Sequence, residues 1–131
     1  MKKIILILLS VLSCTYGLAE PSKQKDHSQI TKMTDDELNN RLNKLNENYE
    51  LQMQLLLEGL DQTGHVNAVQ NEKACLILQN FINEFYGYLD QYRPMFETEI
   101  KNYNREQFVA AVDQLRNFKI AKSVGVKCQF K

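Results

Sequence analysis

Three cysteines and two histidines are the side chains of this sequence that could do thiol or metal chemistry: Cys14, Cys75, Cys128, His27 and His65. Metal sites need such groups clustered at ligand spacing, and these are scattered. Asp61 lies four residues before His65, but two glycines, Gly59 and Gly64, mark that stretch as a turn. A nucleophilic or redox thiol needs a Cys-x-x-Cys pair or a nearby activating histidine, and neither is suggested. Cys75 and Cys128 therefore read as a structural disulfide, closing a loop 53 residues long. Such a crosslink is worth about 4 kcal/mol through the entropy of the unfolded chain, less any strain.

The carboxylates do not suggest acid–base catalysis. Asp35, Asp36 and Glu37 sit where a helix would begin, and Glu47, Glu50, Glu58, Glu72 and Glu84 fall off the apolar stripes described below. There is no glycine-rich phosphate loop. No enzymatic activity and no cofactor or metal is expected.

Two features suit binding. Seven of the 12 aromatic residues lie between Phe81 and Tyr103, and Tyr86, Tyr88 and Tyr103 are candidates for contact with a partner. Charge is also segregated. From Asp35 to Glu99 there are 12 acids and 4 bases, whereas Gln114 to Lys131 holds 5 bases and no acid. Arg116, Lys119 and Lys122 are the candidate basic patch for an acidic partner. The alternative is that acidic body and basic end neutralise each other within the fold. Formal net charge over all 131 residues is zero, which argues against nucleic acid as a partner.

The elements that must position these residues follow from patterning. Met1-Lys2-Lys3, an apolar run from Ile4 to Leu12 and the small-residue site Gly17-Leu18-Ala19 have the layout of a secretory signal over residues 1–19. Export, most simply to a bacterial periplasm, places the cysteines in an oxidising compartment. Leu12-Ser13-Cys14 offers a competing lipobox-like site, and contact with a membrane is expected only if Cys14 is lipidated. Removal of residues 1–19 leaves 112 residues with net charge −2. Residues 20–33 are polar and read as a disordered leader to a single domain over 34–131.

Within that domain, Thr34 and Glu37 form a capping-box pattern. Leu38, Leu42, Leu45, Tyr49, Met53, Leu56 and Leu60 then recur at helical spacing, and Leu51, Leu55 and Leu57 widen the stripe, predicting burial on more than one side. Asn67 and Gln70 predict a second helix start. Cys75, Leu78, Ile82, Phe85, Leu89 and Tyr92 form its stripe. Pro94 breaks that helix at Arg93 and is placed to begin a short third one. Asn104 and Gln107 predict a last helix carrying Phe108, Val112, Leu115 and Phe118, ended by Gly125 and followed by an extended tail. The 12 Asn and 11 Gln read as solvated helix surface. The expected fold is all-α, a small antiparallel bundle of three to four helices with a disulfide-pinned C-terminal tail.

Asn39 to Asn48 and Ala110 to Arg116 resemble segments of periplasmic cytochrome b562-type four-helix bundles. The family's axial Met falls on Leu42 here, and no histidine follows His65, so the resemblance does not carry haem binding to this chain. The size, export signal and helical make-up are also similar to small periplasmic immunity and inhibitor proteins. The expected function is binding of a protein partner without catalysis, and the alternative is a carrier or sensor of an apolar small ligand.

Overall fold

The computed structural model describes residues 32–131, an all-helical fold with no strand among the described residues. The signal segment 1–19 with Cys14, and the leader up to residue 31 with His27, lie outside the described residues.

Helix α1 (Asp35–Glu58) begins at Thr34. The Glu37 N–H donates to Thr34 Oγ1 at 3.2 Å, and the Thr34 N–H donates to the Glu37 carboxylate at 3.1 Å. Helix α2 (Ala68–Gln91) begins the same way, with Asn67 and Gln70 in reciprocal contact at 2.9 Å. Gln70 also donates to the Gly59 carbonyl at 2.9 Å, tying the end of α1 to the start of α2. The connecting loop turns through Gly64, whose φ of +67° lies in the left-handed region that glycine enters without steric cost.

The two helices pair through the predicted stripes. Leu38, Leu42, Leu45, Tyr49 and Met53 are buried on α1, and Ala74, Leu78, Phe81, Ile82, Phe85 and Leu89 on α2. Of the three residues expected to broaden the burial of α1, Leu57 is half-buried, but Leu51 is 56% and Leu55 60% exposed. A step of two residues turns about 200° around a helix, so Leu51 points away from Tyr49 and its partners. The fold covers α1 on one side only.

No helix begins at Pro94. The chain forms two 3-10 turns, Arg93–Met95 and Ile100–Asn102, with Phe96 extended between them. Arg93 supplies the reason. Its guanidinium donates to the carbonyls of Lys101 (2.8 Å) and Tyr103 (2.9 Å), so those groups turn inward to a side chain.

The predicted last helix is two helices. Asn104 and Gln107 cap α3 (Arg105–Val112), and Leu115, with ψ of 149°, breaks the chain before α4 (Arg116–Ser123). The break sends Phe108 and Phe118 to different parts of one aromatic cluster. Phe108 meets Phe85 at 5.2 Å between ring centroids, while Phe118 meets Tyr49 at 5.9 Å and Phe81 at 6.1 Å. Gly125, at φ +90°, ends α4, and the Val66 N–H donates to the Val124 carbonyl, joining this end to the α1–α2 loop.

Candidate binding groove and basic face

The tail after Gly125 lies along α2. Cys75 and Cys128 form the predicted disulfide, with Cα atoms 5.4 Å apart. One helical turn before Cys75, Asn71 clamps the Lys127 peptide, accepting its N–H at 2.8 Å and donating to its carbonyl at 3.3 Å. One turn after, Gln79 holds the N–H and main-chain oxygen of Lys131 in the same way at 3.3 and 3.4 Å. The spacing is commensurate: eight helical residues rise about 12 Å and four extended residues span about 13 Å. Val126 is buried, and Phe130 packs edge-on against Phe118 at 6.0 Å. These amides are therefore not idle surface, and neither are those of the two capping boxes built on Asn and Gln.

Pinned in this way, the tail forms one wall of a groove of about 720 Å³. The opposite wall is α3, which presents Arg105 and Val109, with its C-cap Asp113 one further four-residue step on. Leu78 and Phe118 floor it, and Val126 and Phe130 contribute from the tail. Charge sits at the rim. Lys122 pairs with Asp113. Arg105 donates from Nε to the main-chain oxygen of Lys131 at 2.7 Å and also to the Asn83 side-chain oxygen.

The aromatic candidates do not form one patch. Tyr86 is half-buried between two cations, with Arg93 and Arg105 over its ring at 5.8 and 5.5 Å, and its ring lies tilted against Phe108 with centroids 5.5 Å apart. Its hydroxyl accepts from Arg93 at 3.1 Å. Asp90 holds Arg93 from the other side at 2.7 Å and, with Tyr86, raises its pKa further. Tyr103, half-buried, joins this cluster through its carbonyl. Tyr88 is half-buried on the other flank of α2, since two residues turn the helix by about 200°. Arg93, Arg105, Asn71 and Gln79 were not singled out by sequence reasoning. The four-residue spacing of Asn71, Cys75 and Gln79 is a usable signal once Cys75 is taken to anchor a tail.

The basic candidates do share a face. Arg116 and Lys119 lie on the side of α4 away from the buried Phe118 and Ala121, and Lys122, three residues further on, stands where that side meets the rim of the groove. Arg116 and Lys119 are exposed and form no ion pair among the described residues, while Lys122 meets Asp113. Among the described residues, the Lys122–Asp113 pair is the one ion pair that α4 makes.

The Asp61–His65 turn is a local structure. Thr63 donates to Asp61 through its hydroxyl and its N–H, and these bonds lower the Asp61 pKa. No cluster of His, Cys, Asp or Glu among the described residues could hold a metal ion. Buried within the core, the Tyr49 hydroxyl has no hydrogen-bond partner among the described residues, and burial, aided by Glu50, raises its pKa.

Comparison with protein families, curated proteins and solved structures finds no match to this chain. Leu42, where the axial Met of a cytochrome b562-type bundle would fall, is a packed core residue.

Proposed function

We propose that this chain is a small exported protein that binds a protein partner without catalysis, in the manner of an immunity or inhibitor protein. The observation that carries the reading is the outer face of α4, where Arg116 and Lys119 stand exposed and form no ion pair among the described residues, on a body of opposite charge. A cation face of this kind steers an acidic partner and fixes its orientation. Export is supported by the layout of residues 1–19 and by the Cys75–Cys128 disulfide, which persists in oxidising compartments. No helix among the described residues is long and apolar enough to cross a membrane, and attachment through a lipidated Cys14 is tested by labelling with clickable palmitate.

The test is affinity capture from the exported fraction with the wild-type protein and an Arg116→Glu/Lys119→Glu/Lys122→Glu variant. One acidic protein retained by the first and lost by the second is the expected result. Tyr86→Ala and Tyr88→Ala report whether the tyrosines contribute. Absence of a partner at micromolar concentration overturns the reading.

A second reading, carriage of an apolar small ligand, is favoured by the groove between α3, α4 and the tail. Its volume falls within the roughly 300–1,000 Å³ of small-molecule sites, and its floor reaches core residues.

A further inference from the structure

We propose that the tail over residues 126–131 is an open β-edge, and that an extended acidic segment of the protein partner pairs with it in the groove as a second strand. The inference rests on the protein-partner reading and adds the form in which the partner is held.

The two ends of the groove are already closed. Arg105 holds the main-chain oxygen of Lys131, and Lys122 pairs with Asp113. The unmet groups lie between them, along the tail. Asn71 and Gln79 hold the main-chain N–H and oxygen of Lys127 and of Lys131, four residues apart, so one edge of the extended tail is turned to α2. In an extended chain these groups alternate between the two edges. The N–H and carbonyl groups of Cys128 and Phe130 therefore belong to the other edge, and they make no hydrogen bond among the described residues. Both residues line the groove. Such an edge is a template for another strand, and main-chain pairing to it supplies affinity. The five steps from Val126 to Lys131 span about 17 Å, room for a partner strand of about four residues. Asn71, the disulfide and Gln79 fix the tail beforehand, so little ordering cost opposes binding.

The side chains of the tail define which strand fits. Val126 is buried and Cys128 and Phe130 are half-buried, whereas Lys127, Gln129 and Lys131 are exposed. A strand beside the tail therefore sets alternate side chains over the Leu78 and Phe118 floor, where apolar residues fit, and the others outward beside Lys127 and Lys131. The ammonium groups of these lysines form no ion pair among the described residues, and acidic residues on the neighbouring strand complement them. A second copy of this chain does not. Antiparallel pairing of two tails about Gln129 sets Lys127 opposite Lys131, and like charges so placed repel. Lys122 on the rim joins the groove to the basic side of α4, so one acidic partner can reach both.

The experiment is amide hydrogen exchange, read by NMR on the disulfide-intact protein, with an acetylated hexapeptide of alternating Glu and Val titrated to about 1 mM. At saturation the Cys128 and Phe130 amides should exchange at least about tenfold more slowly, while that of Gln129, on the other edge, should not. In antiparallel pairing the inward valines exchange hydrogen bonds with the tail. Methylating the valine nitrogens of the peptide should therefore weaken it by at least about tenfold, and methylating the glutamate nitrogens should not. Lys127→Glu/Lys131→Glu should reverse the preference for this peptide over one of alternating Lys and Val. Ala110→Trp, at an exposed position on the groove lip, should block the peptide, whereas Leu51→Trp, remote on α1, should not. No protection at Cys128 and Phe130, or binding indifferent to which nitrogens are methylated, overturns the strand assignment. Protection that appears without peptide and grows with protein concentration overturns it in favour of a second copy. A partner captured equally by wild type and Ala110→Trp but lost with the α4 charge variant overturns the groove as its seat and leaves the protein-partner reading standing.

Discussion

The helices of the α1–α2 hairpin are 24 residues each and meet along continuous apolar stripes, whereas α3 and α4 are 8 residues each and are placed by groups that reach them from elsewhere. Helices of two turns are marginal in water, because nucleation costs more than so few hydrogen bonds return. Phe108 and Phe118 supply their apolar anchors. Polar clips supply the rest: Arg93 gathers residues 101 and 103, Arg105 and Gln79 hold Lys131, and Asn71 holds Lys127. A domain can thus be built in two styles. One part is specified by periodicity, and the other is assembled onto it by a few long side chains and one covalent bond.

That difference can be broken at several points. The largest effect is expected for Phe118→Ala. Its ring is 2% exposed and touches Tyr49, Phe81 and Phe130, so it joins α4 and the tail to both helices of the hairpin. Truncation should cost about 3–5 kcal/mol in urea unfolding. If the loss is below about 1 kcal/mol, α4 is not part of the same cooperative unit.

Next in size is Cys75→Ser/Cys128→Ser, expected to cost about 2–4 kcal/mol. Hydrogen exchange should then quicken in residues 126–131 well before it does in α1 and α2. Equal loss of protection across the whole domain would show that the two regions are not separable.

Asn71→Ala and Gln79→Ala should each cost about 1 kcal/mol, the net worth of hydrogen bonds at half-exposed sites. Because both hold one tail already fixed at Cys128, they should add nearly independently when the disulfide is present and couple when it is reduced. A double-mutant cycle under both conditions measures this.

The smallest effect concerns the hairpin's core. Tyr49→Phe removes a buried hydroxyl that has no partner among the described residues, so stability at neutral pH should change by less than about 1 kcal/mol or rise slightly. The alkaline side is more telling. Burial raises the Tyr49 pKa above its ordinary value of 10.0, so the folded state keeps a proton that the unfolded chain releases. The stability from this group is present in full below about pH 10 and is lost as pH rises beyond it. Urea midpoints between about pH 8 and 11 should fall more steeply for the wild type than for Tyr49→Phe. Parallel curves would mean that the hydroxyl reaches solvent.

What could be read from residue order differs between the two regions for a physical reason. Thr34/Glu37, Asn67/Gln70 and Asn104/Gln107 form the expected caps because a cap is satisfied within four residues of chain. The stripes of α1 and α2 are legible because 24 residues repeat the period several times. Eight residues do not, and a continuous helix through Leu115 fits the pattern of 108–118 as well as a broken one does. Leu51 and Leu55 mislead in the opposite sense, because apolar character does not reveal whether a neighbour arrives on that side. Pro94 suits a 3-10 turn as well as a helix start, and Arg93, reaching to residues 101 and 103, decides between them.

The candidate sites follow the same division. That Arg116, Lys119 and Lys122 share a helical face is a matter of three-residue spacing, and so it is written in the sequence. That Arg116 and Lys119 form no ion pair among the described residues depends on where the acidic helices lie, and only the tertiary structure decides it. The disulfide pairing follows from there being two cysteines in the domain, but the groove behind it does not. The groove needs α3, α4 and the tail brought to one place by contacts 22 to 56 residues apart, through Asn83 and Arg105 and through Asn71 and Lys127. The sequence by itself determined the all-helical class, the caps, the hairpin and the crosslink, because these rest on local periodicity and on the scarcity of cysteine. The tertiary structure decided which cations stand free and where a cavity opens, because those depend on what distant segments leave uncovered.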